Sequence, residues 1–510
     1  MAGFVSLAYA QSQGSANQKP SSGPNAEIHR DALDALDIAI PFFTRAGNTL
    51  RLTGGFSARD GSFAALEDSF HNLFHLAETL HVRAEIGVRA RSIEFGLRKT
   101  LPGPRPIQYG FTVYGQRFRY NQEREASITA FQWNNSLFDS VFKPFNAGDP
   151  VHYVLSGYGV KMFAEHAFQR ELSKVSLAYS FDVSAIRPLT DGTREFFTEL
   201  NFRGRDAPDR LTGIRTSKVN VSYAYNSIVD PDQPTRGASL RFSTTIAGPG
   251  GTVRMIEPDI EAKYFHSGLV KRHVVAIHLH GRLLSGYGGR SAPPYERFYM
   301  GGENEVRGFH SARIGPFGYV PGVRLFNVLN PDGSNRTLRG ENGLQQNVMQ
   351  EVPLYRRFSI GGDTNVVTNI EYRIPIRGPV SLAFFQDAGL NRITFARQLQ
   401  LNDHAIKAAF NEAGITDRVL REPGLQNVRI SVGAQIQVMV PKINVPVRIY
   451  WAYNALIFEG MLLYPPLVAD RSMFPNFTTY TSVVNTLYPP GLIPYQESRS
   501  MFRIAIGRSF

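Results

Sequence analysis

Apolar and polar residues alternate with a period of two through segment after segment of this chain, and that pattern restricts it to strands with one greasy and one polar face. From Leu80, one face reads Leu80, Val82, Ala84, Ile86, Val88 and the other His81, Arg83, Glu85, Gly87, Arg89. Val275, Ile277, Leu279 and Leu283 oppose Ala276, His278, His280 and Arg282. Val428, Ile430, Val432, Ala434, Ile436 and Val438 oppose Arg429, Ser431, Gly433, Gln435 and Gln437. Val447, Ile449, Trp451 and Tyr453 oppose Arg448, Tyr450 and Ala452.

The pattern predicts about 16 antiparallel strands between residues 48 and 510. They fall near 48–57, 63–69, 78–90, 91–100, 106–119, 153–168, 172–185, 217–227, 236–247, 253–266, 272–284, 364–374, 380–389, 427–440, 445–455 and 500–510. Many run to about ten residues or more, whereas soluble strands average ~5–6 and tilted membrane strands need ~9–11. Connections alternate between short (101–105, 169–171, 267–271, 375–379, 441–444) and long (120–152, 186–216, 285–363, 390–426, 456–499). Short turns at one end and long loops at the other describe a transmembrane β-barrel with long extracellular loops. An even strand number then leaves both chain ends on the short-turn, periplasmic side. A soluble sandwich also alternates, but it does not combine so many long strands with such lopsided loops. The chain closes on "MFRIAIGRSF", with Phe502, Ile504, Ile506 and Phe510 on one face.

Composition narrows the rest. Aromatics at 12% suit strands, and no run of 18 apolar residues offers a membrane helix. The net charge of +12 is scattered through alternating stretches without a basic run carrying interleaved aromatics, so no nucleic-acid partner is expected. The absence of cysteine fits an oxidising compartment without requiring one. Residues 1–30 read as disordered, with Ala8-Tyr9-Ala10 either the tail of a secretion signal or part of a floppy N-terminus. Residues 31–47 read as a linker. "DHAIKAAFNEAG" (403–414) reads as a short helix in a long loop, capped by Asp403 and ended by Gly414.

Enzyme signals are weak. His71 and His75 have helical spacing inside a turn, and His278 and His280 share an inward face as polar lining. Ser140 and Lys143 match a nucleophile pattern without support, and no phosphate loop precedes a helix. No catalytic residue, metal or cofactor is expected.

The stretch "ERFYMGGENEVRGFHS" (296–311) has no helical period and a broken strand period. Its Val306-Arg307-Gly308-Phe309 resembles the arginine motif of the bacterial surface antigen superfamily, the family of BamA-like outer-membrane barrels. Ile314-Gly315-Pro316, "DPDQPTRGASL" (230–240), "NIEYRIPI" (369–376) and "FFQDAGL" (384–390) are similar as well. The resemblance spans roughly 48 to 510. It implies that loop 285–363 folds back into the lumen, where Arg307 meets the acids Glu371 and Asp387. Strand parity points those two side chains inward independently of the family, because Ile370, Tyr372 and Phe384 take the greasy face. A guanidinium grips carboxylates with two prongs, which lysine cannot do.

The resemblance further implies insertion or assembly of outer-membrane proteins through a lateral seam between first and last strands, here flanked by Gly54, Gly55 and Phe510. Gly54-Gly55 reads equally as an ordinary bend. The implied partners are outer-membrane lipid and lipopolysaccharide, unfolded outer-membrane protein clients and assembly lipoproteins. Relatives carry periplasmic repeat domains ahead of the barrel, and the residues before position 48 are too few for one. Two other functions fit such a chain: a two-partner-type secretion pore, and a passive porin-like or surface barrel.

Overall fold

A computed structural model describes residues 40–45, 48–57, 61–72, 78–103, 106–121, 151–168, 172–202, 211–229, 233–340, 344–402, 419–422, 424–440, 445–462, 470–487 and 493–506. Its main sheet has 18 strands, all pairings antiparallel between sequence neighbours in the wall. Ser285–Gly286 merely prolongs Val274–Leu283 along the same neighbour, Met255–Ser267. Setting that piece and the N-terminal Ile40–Arg45 aside leaves 16 wall strands. These strands make an up-and-down wall of the kind that forms a β-barrel.

The wall runs from Asn48–Ser57 up and down to Ser500–Ile506. Its longest members, Ile107–Asn121, His152–Phe168 and Ser173–Pro188, have 15, 17 and 16 residues. Their loop-side ends rise into an apolar layer, where Phe118, Tyr120, Tyr153, Leu155 and Ile186 are buried. Residues 31–47, expected as a linker, include the strand Ile40–Arg45, which pairs with Asn48–Leu52. Its six residues are too few for a period to stand out.

The outward face is apolar: Leu240, Phe242, Ile260, Tyr264, Ile277, Ile370, Phe384, Ile436 and Trp451 are all exposed. Such a continuous belt would aggregate in water and is stable against acyl chains. One strand shows the sidedness: Phe384 is 51% exposed and Phe385, its neighbour, 5%. The inward face carries polar pairs, including Arg241 with Glu261 and His280 with Asp259. His278 and His280 thus line the lumen beside carboxylates, and His71 contacts Thr79.

The long loops build a second layer that the period-two reading could not see. Helix Asp191–Glu199 starts at Thr190, whose Oγ1 accepts from the Thr193 amide at 3.1 Å. It buries Phe196 and Phe197 completely. Phe196 stacks on Phe358 at 5.2 Å, and Phe197 meets Tyr153 edge-on at 5.0 Å. Each fully buried ring contributes about 2–3 kcal/mol of hydrophobic stabilisation. Beside it, Phe317–Asn327 and Met349–Ser359 form a hairpin, and Leu420–Arg421 pairs with its first strand. A second helix, Phe477–Leu487, is rich in β-branched residues and poor in propensity. Tertiary contacts hold it: Asn476 accepts from the Thr479 amide at 2.8 Å, and Val483 packs with Val352 and Phe474. The helix expected at 403–414, like Ser140, Lys143 and His75, lies outside the described residues.

Arg297 ties this dome together. Its Nε, Nη1 and Nη2 donate to the carbonyls of Ala292 (3.3 Å), Ile360 (3.1 Å) and Gln398 (2.5 Å). Burial pulls its pKa down to about 10, so it stays charged at neutral pH. Arg297→Met would leave three buried carbonyls without donors and is expected to cost about 3 kcal/mol or more. A lowered urea midpoint and faster proteolysis of 390–402 would register it, whereas an unchanged midpoint would count against this role.

Candidate functional site

Past Ser285–Gly286 the chain leaves the wall and turns into the lumen. Leu284 donates to the Asp363 carbonyl at 2.7 Å, and Phe298 bridges Gly362. Met300 and Ile314 then pair with each other, closing the neck of a tongue that spans 301–313. Gly301 and Gly302 take φ of +121° and +110°, which a side chain would strain. The Gly301 amide donates to Glu305 Oε2 at 2.8 Å, closing the tip upon itself. Val306 and Phe309 bury against Met300, Ile314 and Val367.

Arg307 sits at the tip and is 1% exposed. Its backbone amide and Nε donate to Asp387 Oδ2 at 3.0 and 2.7 Å, and Nη2 donates to Oδ1 at 2.7 Å. Nη1 reaches Glu371 Oε1 at 2.6 Å and Gln435 Oε1 at 3.2 Å. The guanidinium lies over the Phe385 ring, its Cζ 3.7 Å from the centroid. Burial alone would depress the Arg307 pKa, but Asp387 and then Glu371 outweigh it and push it up. The cation is therefore permanent. Glu371 also receives Arg373 Nε at 2.7 Å, and Asp387 receives Asn369 Nδ2 at 2.9 Å. A buried pair of this kind is worth little net against an apolar substitute, but removing one partner strands the others.

The structure brings Val306, Arg307, Gly308, Phe309, Glu371 and Asp387 together in one constellation. Gly54 and Gly55 are elsewhere, in Asn48–Ser57, opposite Ala64 and Phe63. Phe510 lies outside the described residues. Several participants were not assigned to the site from sequence. Gln435 and Phe385 complete the arginine's surround. Arg448 donates to Asn304 Oδ1 at 2.9 Å, and Arg503 reaches Glu303 at 3.3 Å, fixing the tongue to the last strands. Asn454 donates to the Gly308 carbonyl at 2.8 Å. Inward parity marks all of these as lumenal. Parity does not say which inward residue stands at the depth of the tongue, because that depends on the stagger between strands.

A profile of the Omp85 superfamily domain matches residues 72–455. The chain belongs to the Omp85 superfamily. Among Omp85 relatives, it is 22% identical to the outer membrane protein assembly factor BamA of Neorickettsia risticii over 374 residues, 72% of this chain. It spans 40% of that relative's length. It is 37% identical to the Sorting and assembly machinery component 50 homolog B of Xenopus laevis over 123 residues, 23% of this chain and 26% of that protein. The fold is similar to the crystal structure of BamA from Haemophilus ducreyi lacking POTRA domains 1-3, with a TM-score of 0.53 at 14% identity. That likeness covers 85% of this chain and 74% of the other.

Proposed function

We propose that this Omp85 barrel assists the insertion and assembly of outer-membrane β-barrel proteins through a lateral seam beside its last strand. One observation carries the reading. Ser500–Ile506 ladders with Val445–Leu456 on one side, and among the described residues no ladder lies on its other side. The first wall strand is similar: Ile40–Arg45 pairs only with Asn48–Leu52, so Thr53–Ser57, which holds Gly54 and Gly55, has one ladder among the described residues. Unpaired N–H and C=O groups on facing edges can template an incoming strand, and the process needs neither a nucleotide nor a catalytic side chain. The glycines would weaken the local pairing that a client displaces. Unfolded barrel clients, the surrounding lipid and lipopolysaccharide, and assembly lipoproteins are the partners this reading requires.

The filled lumen supports this reading over a passive porin. The tongue crosses the lumen and the dome packs above it, with Tyr299 reaching Tyr120 on the opposite wall at 5.7 Å between ring centroids. Planar-bilayer recordings are expected to give a small, flickering conductance, and a large steady channel would favour the porin.

The decisive experiment uses the lack of native cysteine, so an introduced pair is chemically alone. One cysteine is placed in 48–57 and one in 500–506, and the chain is reconstituted in liposomes. In the reduced state it should accelerate folding of an added client barrel several-fold. Oxidation should abolish the acceleration, and reductant should restore it. No acceleration, or equal acceleration when locked, would sink the proposal.

A further inference from the structure

We propose that the turn 267–273 is a lipid-docking element. It seats an apolar tip in the leaflet at the short-turn rim of the barrel and gathers anionic phospholipid headgroups around Lys271, Arg272 and Arg377. The inference rests on the membrane placement of the wall and not on the insertase reading.

The wall register sets a lipid-facing patch beside this turn. Tyr264 pairs with Ile277, His266 with Val275, and Val275 with Tyr372. These residues share the outward face with Ile370. Tyr264 stacks on His266 with ring centroids 6.1 Å apart, and His273 meets Tyr372 edge-on at 5.4 Å. Rings with an apolar body and one polar end gather where acyl chains give way to headgroups. This level of the wall is therefore the boundary between the two.

The turn leans onto that boundary. It closes on itself, with the Gly268 amide donating to the His273 carbonyl at 2.7 Å and the His273 amide to the Val270 carbonyl at 2.8 Å. The Leu269 amide then donates to Tyr372 Oη at 3.2 Å. A Cβ at Gly268 would stand 2.9 Å from Tyr372 Cε2, so glycine lets the backbone rest against the ring. Tyr372 faces lipid, and a turn bonded to its hydroxyl lies on the lipid side of the wall rather than over the lumen. Leu269, 95% exposed, and Val270, 53% exposed, form the tip. They extend the apolar belt that acyl chains already cover, which is what selects lipid as the occupant.

Charge selects the kind of lipid. "HSGLVKRHV" (266–274) contains no acid, and Lys271 and Arg272 are exposed. Val274–Leu283 pairs with Thr364–Arg377, so the next turn along the rim lies within "RIPIRGPV" (373–380). That stretch has no acid either, and it adds exposed Ile376 and Arg377. On the other side, the turn before Gly237–Ala247 carries Asp230 and Asp232 in sequence, so the acid-free arc spans these two turns. Long cationic side chains lay their stems over apolar surface and hold their heads at the phosphate level. Apolar groups flanked by such cations are the chemistry of attachment to an anionic leaflet.

The test uses the full chain, which has no native cysteine. Leu269→Cys, or Val270→Cys if the first does not fold, carries a fluorophore, and the protein is reconstituted in vesicles of phosphatidylcholine and phosphatidylglycerol. Trace phosphatidylcholine or phosphatidylglycerol, spin-labelled high on the acyl chain, serves as quencher. Both lipids should quench the probe, and iodide in the buffer should quench it far less than it quenches the free dye. Phosphatidylglycerol should quench several-fold more per molecule than phosphatidylcholine, and added salt should narrow the difference. Lys271→Gln, Arg272→Gln and Arg377→Gln together should erase the difference while quenching by phosphatidylcholine persists. A probe quenched by iodide and by neither lipid would place the turn in water and overturn the proposal. Equal quenching by the two lipids before the glutamine changes, or a preference that survives them, would overturn it as well.

Discussion

Arg307→Ala is expected to destabilise the barrel by about 3–5 kcal/mol, because it strands two buried carboxylates rather than deleting a contact. Asp387 would lose three hydrogen bonds, two from the side chain and, as the tongue shifts, one from the backbone amide. Glu371 would lose Arg307 and keep Arg373. The Phe385 ring would lose the cation stacked on it. The expected signs are a lower urea midpoint, a lower temperature for loss of the compact form on gels, and tryptic cleavage at Arg297 and Arg313. Arg307→Lys should fall between, since an ammonium cannot fork onto Asp387. Neutralising the acids in the same chain, with Glu371→Gln and Asp387→Asn, should recover part of the alanine loss. If the alanine variant matches the parent in midpoint and cleavage, the constellation does not hold the tongue.

Gly308→Ala should be nearly as damaging, for two separable reasons. At φ +92° an alanine carries backbone strain of about 1–3 kcal/mol. Its Cβ would also stand 2.1 Å from Asn454 Oδ1 and 2.9 Å from Ala452 Cβ. The amide of Asn454 can move only by releasing the Gly308 carbonyl at 2.8 Å and the Ser498 carbonyl at 2.6 Å. Displacement would therefore reach the segment that leads into the last strand, Ser500–Ile506. Unfolding measurements should show a large loss for Gly308→Ala. Asn454→Ala combined with Gly308→Ala should lose less than the two single changes added together, because the clash with Asn454 disappears while the strain and the Ala452 contact remain. Full additivity would mean that the close approach is not what constrains this glycine.

The site was legible to different depths. Glu371 and Asp387 could be turned inward from parity alone, since a strand that shows Ile370 and Phe384 to lipid must show its odd-numbered neighbours to the lumen. That Arg307 belongs with them came from the resemblance of its motif, since a lone arginine in an irregular loop has no period to read. Gln435, Asn454, Arg448 and Arg503 were visible as inward residues and nothing more. Asn369 and His278 gave no local sign of a shared row, because cross-strand neighbours such as His278 and Asn369 are 91 residues apart.

The sequence by itself determined the wall. Side chains on a strand alternate strictly, so a period of two, repeated over many long segments, leaves one greasy surface that only a membrane can cover. It also determined that the connections are lopsided. Only the tertiary structure decided what those connections do. The dome and the helices Asp191–Glu199 and Phe477–Leu487 depend on contacts between distant loops. The depth at which the tongue seats depends on strand stagger, which the alternation leaves undefined because a shift of two residues preserves every face.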